Sequence, residues 1–337
     1  MAWNAIAAWP GEADGPGFTV GDPAPNGKVY AGSGEFAAGA SVSTEMWVYD
    51  PVANDWTQLA DLPVPRLNAS ALYVNGLVYV FGGASAAATS TDAVYVYDVA
   101  ADTWDTRASM PDQRRNAAVA RLGSIIYLFG GAGNGTFYGQ VWAYSIPDDA
   151  WVTMGAAISP LAGGRATTLG DLIYIHPIGQ SVTVYDPVTD AADTYEELPQ
   201  SVVFVRGFAA LGVQLFAWGG DAFGGEPTYR STPGGEEEWV DILDPTPAPA
   251  IHNLSANGST LFIFPTADGS GGSYRLDVDV VGSPGAATAL NVIGQFRYHP
   301  RWHDLQEKWG GTTEEWDKVA AAGLVYDEST GSFRKGS

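Results

Sequence analysis

Short apolar runs separated by turn residues recur along most of the chain. In the run LVYVF at 77–81 the apolar residues are nearly continuous, as expected for a strand that is covered on both faces. Glycine and proline stand between such runs instead of in one low-complexity block. This pattern is typical of many short strands joined by turns, and it predicts an all-β fold.

A repeat of about 47 residues organises these runs. The stretches 66–111 and 114–160 align almost without gaps. Each has an apolar strand that ends in a glycine pair, a loop, a strand that ends in tyrosine, and a tryptophan seven residues after that tyrosine. The tyrosine–tryptophan pairs at this spacing are Tyr49–Trp56, Tyr97–Trp104 and Tyr144–Trp151. Counting degenerate copies, the sequence predicts six units.

The degenerate units are recognised by position. In the first unit Gly32 and Gly34 are interpreted as the glycine pair, and in the fourth His176 and Pro177 are interpreted as its replacement. The fifth unit has the pair again, and the last unit, which ends near residue 281, lacks both the pair and the tryptophan.

This combination of glycine pair, tyrosine and tryptophan resembles the Kelch repeat, whose units each form a four-stranded antiparallel blade of a β-propeller. The resemblance covers roughly residues 1–283 and implies a six-bladed Kelch-like β-propeller domain. It implies little about function, because propellers include enzymes, binding modules and scaffolds.

The first ten residues, MAWNAIAAWP, are predicted to be a strand and not a secretory signal. No Lys or Arg precedes the apolar residues, and the run ends at Pro10. The spacing of Trp3, Ala7 and Pro10 equals that of Trp56, Ala60 and Pro63 in the fourth strand of a unit. We therefore expect residues 2–8 to close the ring by antiparallel pairing with residues 274–281, where the last unit lacks a fourth strand.

Residues 284–337 are predicted to form a small, partly helical C-terminal extension with a docking role. Thr312 and Glu315 have the spacing of a capping box, and Gly323 is a suitable C-cap. The residues expected to contact a partner are Trp302, Trp309, Trp316, Arg297 and Arg301. Two interpretations are open: the tryptophans pack back on the propeller rim, or they anchor another chain.

Charge and composition exclude several classes of function. The formal net charge of -22 argues against binding to nucleic acid or to an anionic membrane surface. The absence of cysteine excludes disulfides, thiolate metal sites and the cysteine-modified tyrosine of the copper radical oxidases that share the Kelch fold. No apolar run is long enough to span a bilayer. His299 and His303 are separated by Pro300 and have no HExxH context, so we expect no metal and no cofactor.

Four arginines near the start of a unit's first strand are the candidate ligand-binding residues. They are Arg66, Arg114 (or its neighbour Arg115), Arg165 and Arg206. One interpretation is a cationic ring at the channel mouth that suits a carboxylate or an acidic sugar. The other is that each arginine bonds a neighbouring blade, as is common in Kelch units.

The function expected from these features is a non-enzymatic interaction propeller. The loops ASAAATSTDA and AGNGTFYGQ, which follow glycine pairs, are candidate recognition surfaces for a protein partner or a glycan. The C-terminal extension would dock the propeller onto a larger assembly, and an accessory protein of a phage virion would fit this description. The alternative is a carbohydrate-active enzyme similar to sialic-acid mutarotases, working at the channel mouth with the arginines.

Removal of residues 2–10 tests the predicted ring closure. We expect the deletion to lower the thermal unfolding midpoint markedly, because it leaves the edge of the last unit unpaired. Differential scanning calorimetry of the shortened and full chains measures the effect. An unchanged melting curve would contradict the closure.

Overall fold

The computed structural model describes part of the chain, and every regular element in that part is a β-strand. The described residues are 4–11, 17–21, 27–34, 42–85, 89–133, 135–176, 181–197, 204–211, 214–220, 228–231, 233, 239–241, 252–257, 260–265, 274–277, 324–327 and 332–335. Among these residues no helix is long and apolar enough to cross a membrane.

Five consecutive antiparallel sheets form blades of a β-propeller, and a short strand β1 (Asn4–Ala5) precedes them. Blade 1 contains β2 (Phe18–Gly21), β3 (Val29–Gly32), β4 (Met46–Asp50) and β5 (Asp55–Leu59). Blade 2 contains β6 (Ser70–Val74), β7 (Leu77–Phe81), β8 (Val94–Asp98) and β9 (Thr103–Arg107). Blade 3 contains β10 (Ala118–Leu122), β11 (Ile125–Phe129), the short β12 (Ala132–Gly133), β13 (Thr136–Ser145) and β14 (Ala150–Leu161).

The remaining strands continue this arrangement. Blade 4 contains β15 (Arg165–Leu169), β16 (Leu172–His176), β17 (Ser181–Asp186) and β18 (Ala191–Glu197). Blade 5 contains β19 (Phe204–Leu211), β20 (Gln214–Gly220), β21 (Thr228–Ser231) and β22 (Val240–Asp241). A terminal sheet combines β23 (His252–Asn257), β24 (Thr260–Pro265) and β25 (Tyr274–Asp277) with β1, and β26 (Leu324–Asp327) pairs with β27 (Ser332–Lys335).

The N-terminal strand pairs with the last strand of the repeats. Asn4 lies opposite Arg275 and Ala5 opposite Tyr274, in antiparallel register. The first strand of each sheet contacts the first strand of the next, from β2 through β6, β10, β15 and β19 to β23. Strand β23 in turn contacts β2. The first strands are therefore the inner strands, and each sheet packs its faces against two neighbours.

Apolar clusters fill the space between neighbouring blades. In one cluster Phe81 of blade 2 packs with Leu128 and Tyr144 of blade 3, and in another Phe129 of blade 3 packs with Ile175 and Tyr185 of blade 4. Tyrosine on the third strand is fully buried in each of the first four blades. The near-continuous apolar runs of the sequence are explained by this burial on both faces.

A repeated arrangement of side chains, here called the Tyr–Asx clamp, joins consecutive sheets at their outer edge. Between blades 1 and 2 the Tyr97 hydroxyl donates to Oδ1 of Asp102 (2.6 Å), and the N–H of Ala60 donates to the same oxygen (2.8 Å). The indole N–H of Trp104 donates to the carbonyl oxygen of Ala60 (2.8 Å). One side-chain oxygen thus holds a buried tyrosine and the end of the preceding sheet's fourth strand.

The same clamp recurs at three other junctions. Its Tyr, Asx and preceding-sheet residues are Tyr49–Asn54–Ala7, Tyr144–Asp149–Ala108 and Tyr185–Asp190–Ala156. At Asp190 the second carboxylate oxygen, Oδ2, also accepts the N–H of Gly155 (2.6 Å). All four Asx residues have a left-handed backbone with φ between 48° and 53°, a conformation that Asn and Asp tolerate better than most residues. In blade 4 Ala192 lies opposite Tyr185 where blades 1 to 3 have tryptophan, so that junction lacks the indole bond.

Strand register corrects the interpretation of Gly32 as part of the glycine pair. Gly32 lies opposite Phe18 at the start of the inner strand, as Phe81 lies opposite Ser70, so Ser33 and Gly34 hold the pair positions. Ser33 has the left-handed φ of 56°. Its hydroxyl donates to the carbonyl oxygen of Arg66 and accepts the N–H of Arg66 (3.1 Å), which compensates for the strained backbone.

Register also corrects the interpretation of His176 as a replacement for glycine. His176 lies opposite Arg165, as Phe129 lies opposite Ala118. His176 therefore takes the place of the aromatic residue that precedes the glycine pair in blades 2 and 3. Pro177 and the expected helical segment around 312–323 lie outside the described residues.

The clamp predicts a specific pH dependence of stability. The hydroxyl of Tyr144 and the N–H of Ala108 hold the pKa of Asp149 below its ordinary value. The charged form therefore contributes stability above the unfolded pKa of about 3.9, and this contribution is lost as pH falls through the lower folded value. Asp149→Asn keeps an acceptor, as Asn54 does, but accepts weaker bonds than a carboxylate.

We expect Asp149→Asn to be less stable than the wild type at pH 7, and the difference to shrink as pH falls below about 4. Urea unfolding at a series of pH values measures it. Asp148→Asn is the matched control, because it removes a charge one residue away from the clamp. A difference that is independent of pH, or equal in the control, would contradict the assignment.

Candidate functional site

The two ends of the propeller carry different loops. The strands of a blade alternate in direction, so the start of the inner strand and the end of the second strand lie at the same end, here called the upper face. The upper face carries the loops 82–93, 108–117 and 130–135. The lower face carries tight turns, such as Asn75 and Gly76 between β6 and β7, and the turns that hold the clamp.

Arg66 and Arg114 are equivalent residues, each four positions before the inner strand of its blade. Both are buried, with 6% and 3% of their surface exposed. The guanidinium of Arg114 lies 3.5 Å from the ring centroid of Tyr138 and 4.0 Å from that of Trp142. It pairs with Asp112 (3.4 Å) and donates to the Gln113 carbonyl oxygen (3.0 Å).

Burial lowers the pKa of Arg114, and the aromatic rings and Asp112 favour its charged form. Arg66 makes a looser version of this arrangement, with its guanidinium 5.3 Å from the Tyr95 ring. Both guanidinium groups therefore contact their own blade. The bond to the preceding blade comes from the main chain instead: the carbonyl oxygen of Arg114 accepts the N–H of Gly83 (2.8 Å).

Arg165 and Arg206 hold other register positions. Arg165 is itself the first residue of the inner strand, opposite His176. Arg206 falls in a bulge between Val205 and Gly207, and its side chain lies outside what the structure describes. All four arginines thus lie near the upper end of an inner strand, but only Arg66 and Arg114 share a position.

The predicted docking residues of the C-terminal extension are not among those described. They are Trp302, Trp309, Trp316, Arg297 and Arg301. The described part of the extension is the pair β26–β27.

Among the described residues, the upper face is most distinguished by a hairpin on blade 3 that joins β12 to the start of β13, here called the raised hairpin. Strand β13 has 10 residues and β14 has 12, against five in the corresponding strands of blade 2. The extra length pairs with β12 and extends to a bridge between Tyr138 and Leu161. Phe137, near the tip, is 64% exposed. This hairpin lies in the loop AGNGTFYGQ, which the sequence marks as a recognition candidate.

Main-chain bonds fix the hairpin to the body of blade 3. Arg115 and Ala132 exchange two N–H···O bonds of 2.9 and 2.8 Å, and the N–H of Tyr138 donates to the Gly131 carbonyl oxygen (2.9 Å). The side chain of Tyr138 stacks on Arg114 beneath it. The hairpin is therefore held from below by a buried cation and from the side by a neighbouring loop.

The loop ASAAATSTDA of blade 2 has a smaller framework. Ala84 forms bridges with Leu67 and Ser90. Residues 86–88 of this loop lie outside the described part. Within the described residues no group of three or more His, Asp or Glu side chains is arranged to hold a metal ion.

Comparisons with known proteins agree with the fold. The model of the KLHDC2/KLHL20/DRC7 Kelch-repeats domain matches residues 23–195, just over half of the chain. A human Kelch repeat and BTB domain-containing protein 6 is 43% identical over 44 residues, which are 13% of this chain and 6% of that protein. A putative F-box/kelch-repeat protein of Arabidopsis thaliana is 41% identical over 54 residues, 16% of each chain.

The chain thus covers at most 16% of the length of these two relatives, and their likeness is confined to one or two repeats. The matched region runs from the second strand of blade 1 through blades 2 and 3 and most of blade 4. The glycine pairs of blades 2 and 3 and three complete Tyr–Asx clamps lie in the same region. The chain belongs to the Kelch-repeat family and forms a β-propeller.

Proposed function

We propose that this propeller binds a protein partner on its upper face, with the raised hairpin of blade 3 as the main contact. The observation that carries the proposal is Phe137, a large apolar side chain left 64% exposed on a hairpin that main-chain bonds hold in place. Aromatic side chains are the usual anchors of protein interfaces. A hairpin fixed before binding loses little conformational entropy when a partner arrives.

The surroundings of Phe137 fit the same role. Thr136 and Gln140 are exposed on the same hairpin and supply polar groups for the rim of an interface. Val64, in the loop that leads into blade 2, is another exposed apolar residue of the upper face. The guanidinium of Arg114 stacks on Tyr138 at the base of the hairpin. Arg114 therefore helps to hold the shape of this surface.

We further propose that the ring has six blades, with the terminal sheet as the sixth. Its support is the seam with blade 1. The N–H of Ala7 donates to Oδ1 of Asn54 (2.9 Å), and the indole of Trp56 donates to the Ala7 carbonyl oxygen (3.2 Å). Ala7 thereby takes the place that Ala60 and Ala108 hold at the following junctions.

The other expectations from the sequence stay predictions. Docking through residues 284–337 rests on side chains outside the described part. Placement in a phage virion and glycan recognition have no support among the described contacts, and mutarotase-like chemistry depends in part on Arg206, whose side chain is not described.

Peptides selected from a random phage-displayed library on the full chain provide a probe for the proposed surface. We expect them to bind Phe137→Ser at least about tenfold more weakly than the wild type, because the variant removes the anchor. Val52→Ser is the matched control, since Val52 is a 75% exposed apolar residue in a lower-face turn. Fluorescence anisotropy measures the affinities, and melting curves show that both variants fold.

Unchanged affinity in Phe137→Ser would contradict the assignment to the hairpin. An equal loss in both variants would contradict it too, because the two residues lie on opposite faces.

A further inference from the structure

One cross-strand pair in blade 4 departs from the pattern of its neighbours. At the upper end of the inner strand blade 2 pairs Ser70 with Phe81, and blade 3 pairs Ala118 with Phe129. Blade 4 pairs Arg165 with His176 at this position. Directly opposite residues of an antiparallel pair point to the same face of the sheet. A guanidinium and an imidazole therefore replace a small residue and an apolar ring.

This face of blade 4 points toward blade 5. The His176 ring is buried and lies 5.9 Å from the ring of Phe208, on the inner strand of blade 5. Two positions along from Arg165, the Thr167 hydroxyl accepts the N–H of Ala210 (3.0 Å), also in blade 5. The polar pair thus lies at the junction of two blades, near the upper mouth of the channel.

Arg165 uses only one of its three nitrogens in bonds to the described residues. Its Nη1 donates to the carbonyl oxygens of Gly163 and Gly164, both at 3.2 Å. In the described ranges neither Nε nor Nη2 has an acceptor, and no carboxylate lies within ion-pair distance. Protein atoms around the guanidinium lower the pKa of this arginine, although the residue as a whole is only half-buried and keeps contact with solvent.

The unused edge of the guanidinium has a defined chemistry. Nε–H and Nη2–H are parallel donors whose spacing matches two oxygens of a carboxylate or a phosphate. Arg114 provides the contrast, because its buried guanidinium is compensated by Asp112 and two aromatic rings. Arg165 has no such compensation among the described residues.

We propose that the Nε–Nη2 edge of Arg165 is an oxyanion-binding site at the junction of blades 4 and 5. Its ligand is a carboxylate or phosphate group, carried by a small molecule or by the end of a larger one. The site is independent of the raised hairpin on blade 3. An anion bound there pairs with a guanidinium that has no carboxylate partner among the described residues, so the folded chain becomes more stable as the anion concentration rises.

Thermal unfolding of the full chain at constant ionic strength tests the site, with sodium chloride replaced stepwise by sodium phosphate or sodium acetate. We expect the unfolding midpoint of the wild type to rise with oxyanion concentration. A rise with both salts indicates a site for any oxyanion, and a rise with phosphate alone indicates a site for phosphate groups. No rise with either salt would overturn the proposal.

The double variant Arg165→Ala/His176→Phe rebuilds the pair that blade 3 already contains. We expect it to lose the oxyanion-dependent rise and, in chloride, to melt at the same temperature as the wild type or higher. Arg121→Ala is the control, because it removes a cation whose Nε bonds the Gly123 carbonyl oxygen (2.6 Å) and should leave the rise unchanged. Arg165→Gln, which removes the charge but keeps much of the length, repeats the test if the double variant does not fold.

Two further results would overturn the proposal. An equal rise in the wild type and the double variant would assign it to general salt effects on the surface. A double variant that folds but melts well below the wild type in chloride would assign Arg165 and His176 to the support of the blade junction.

Discussion

The hydrogen bonds that one Asx oxygen makes to two sheets are the interaction on which the propeller depends. Each fourth strand is an edge strand, and its free main-chain groups invite pairing with other chains. At the clamp the oxygen of Asp102 binds the end of the preceding strand and a buried tyrosine together. The clamp therefore protects the edge and fixes the distance between sheets. A left-handed turn is needed to aim the oxygen, which explains why Asn and Asp occupy it.

A scaffold closed in this way leaves its loops free to differ. The lower face holds the clamps, and in blades 2 to 4 its turns between the first two strands are all two residues long. The upper face carries loops whose length changes without affecting the clamps, and blade 3 uses this freedom to build the raised hairpin. Buried Arg114 stacks under the hairpin and transmits the rigidity of the blade to Phe137. The rigid lower end of the blade thus supports the proposed binding surface at its upper end.

The repeat in the sequence predicts the blades well, because tyrosine and tryptophan are fixed by packing at constant spacing. It also predicts the pairing of the N-terminal strand, since Trp3 and Ala7 keep the spacing of an ordinary fourth strand. It fails at Ser33, where a hydroxyl bonded to Arg66 makes a left-handed serine acceptable in place of glycine. The repeat also fails to distinguish Arg114 from Arg165. Arg114 lies four residues before its inner strand and stacks on an aromatic ring, whereas Arg165 is the first residue of its inner strand. Only the strand register shows this difference of four residues.

In a repeat protein, each blade can be compared with the others. Where one blade has an unusual residue, the contacts that residue makes indicate why it is tolerated. Ser33 departs from glycine and is compensated by two bonds to Arg66. Asn54 departs from aspartate and keeps the same two donors at its oxygen. Such exchanges preserve the fold and need no functional explanation. The pair Arg165–His176 puts a half-buried guanidinium where blades 2 and 3 have a small residue opposite phenylalanine, and no carboxylate among the described residues pairs with it. Under our proposal, a bound oxyanion gives Arg165 the compensation that Asp112 and two aromatic rings give Arg114.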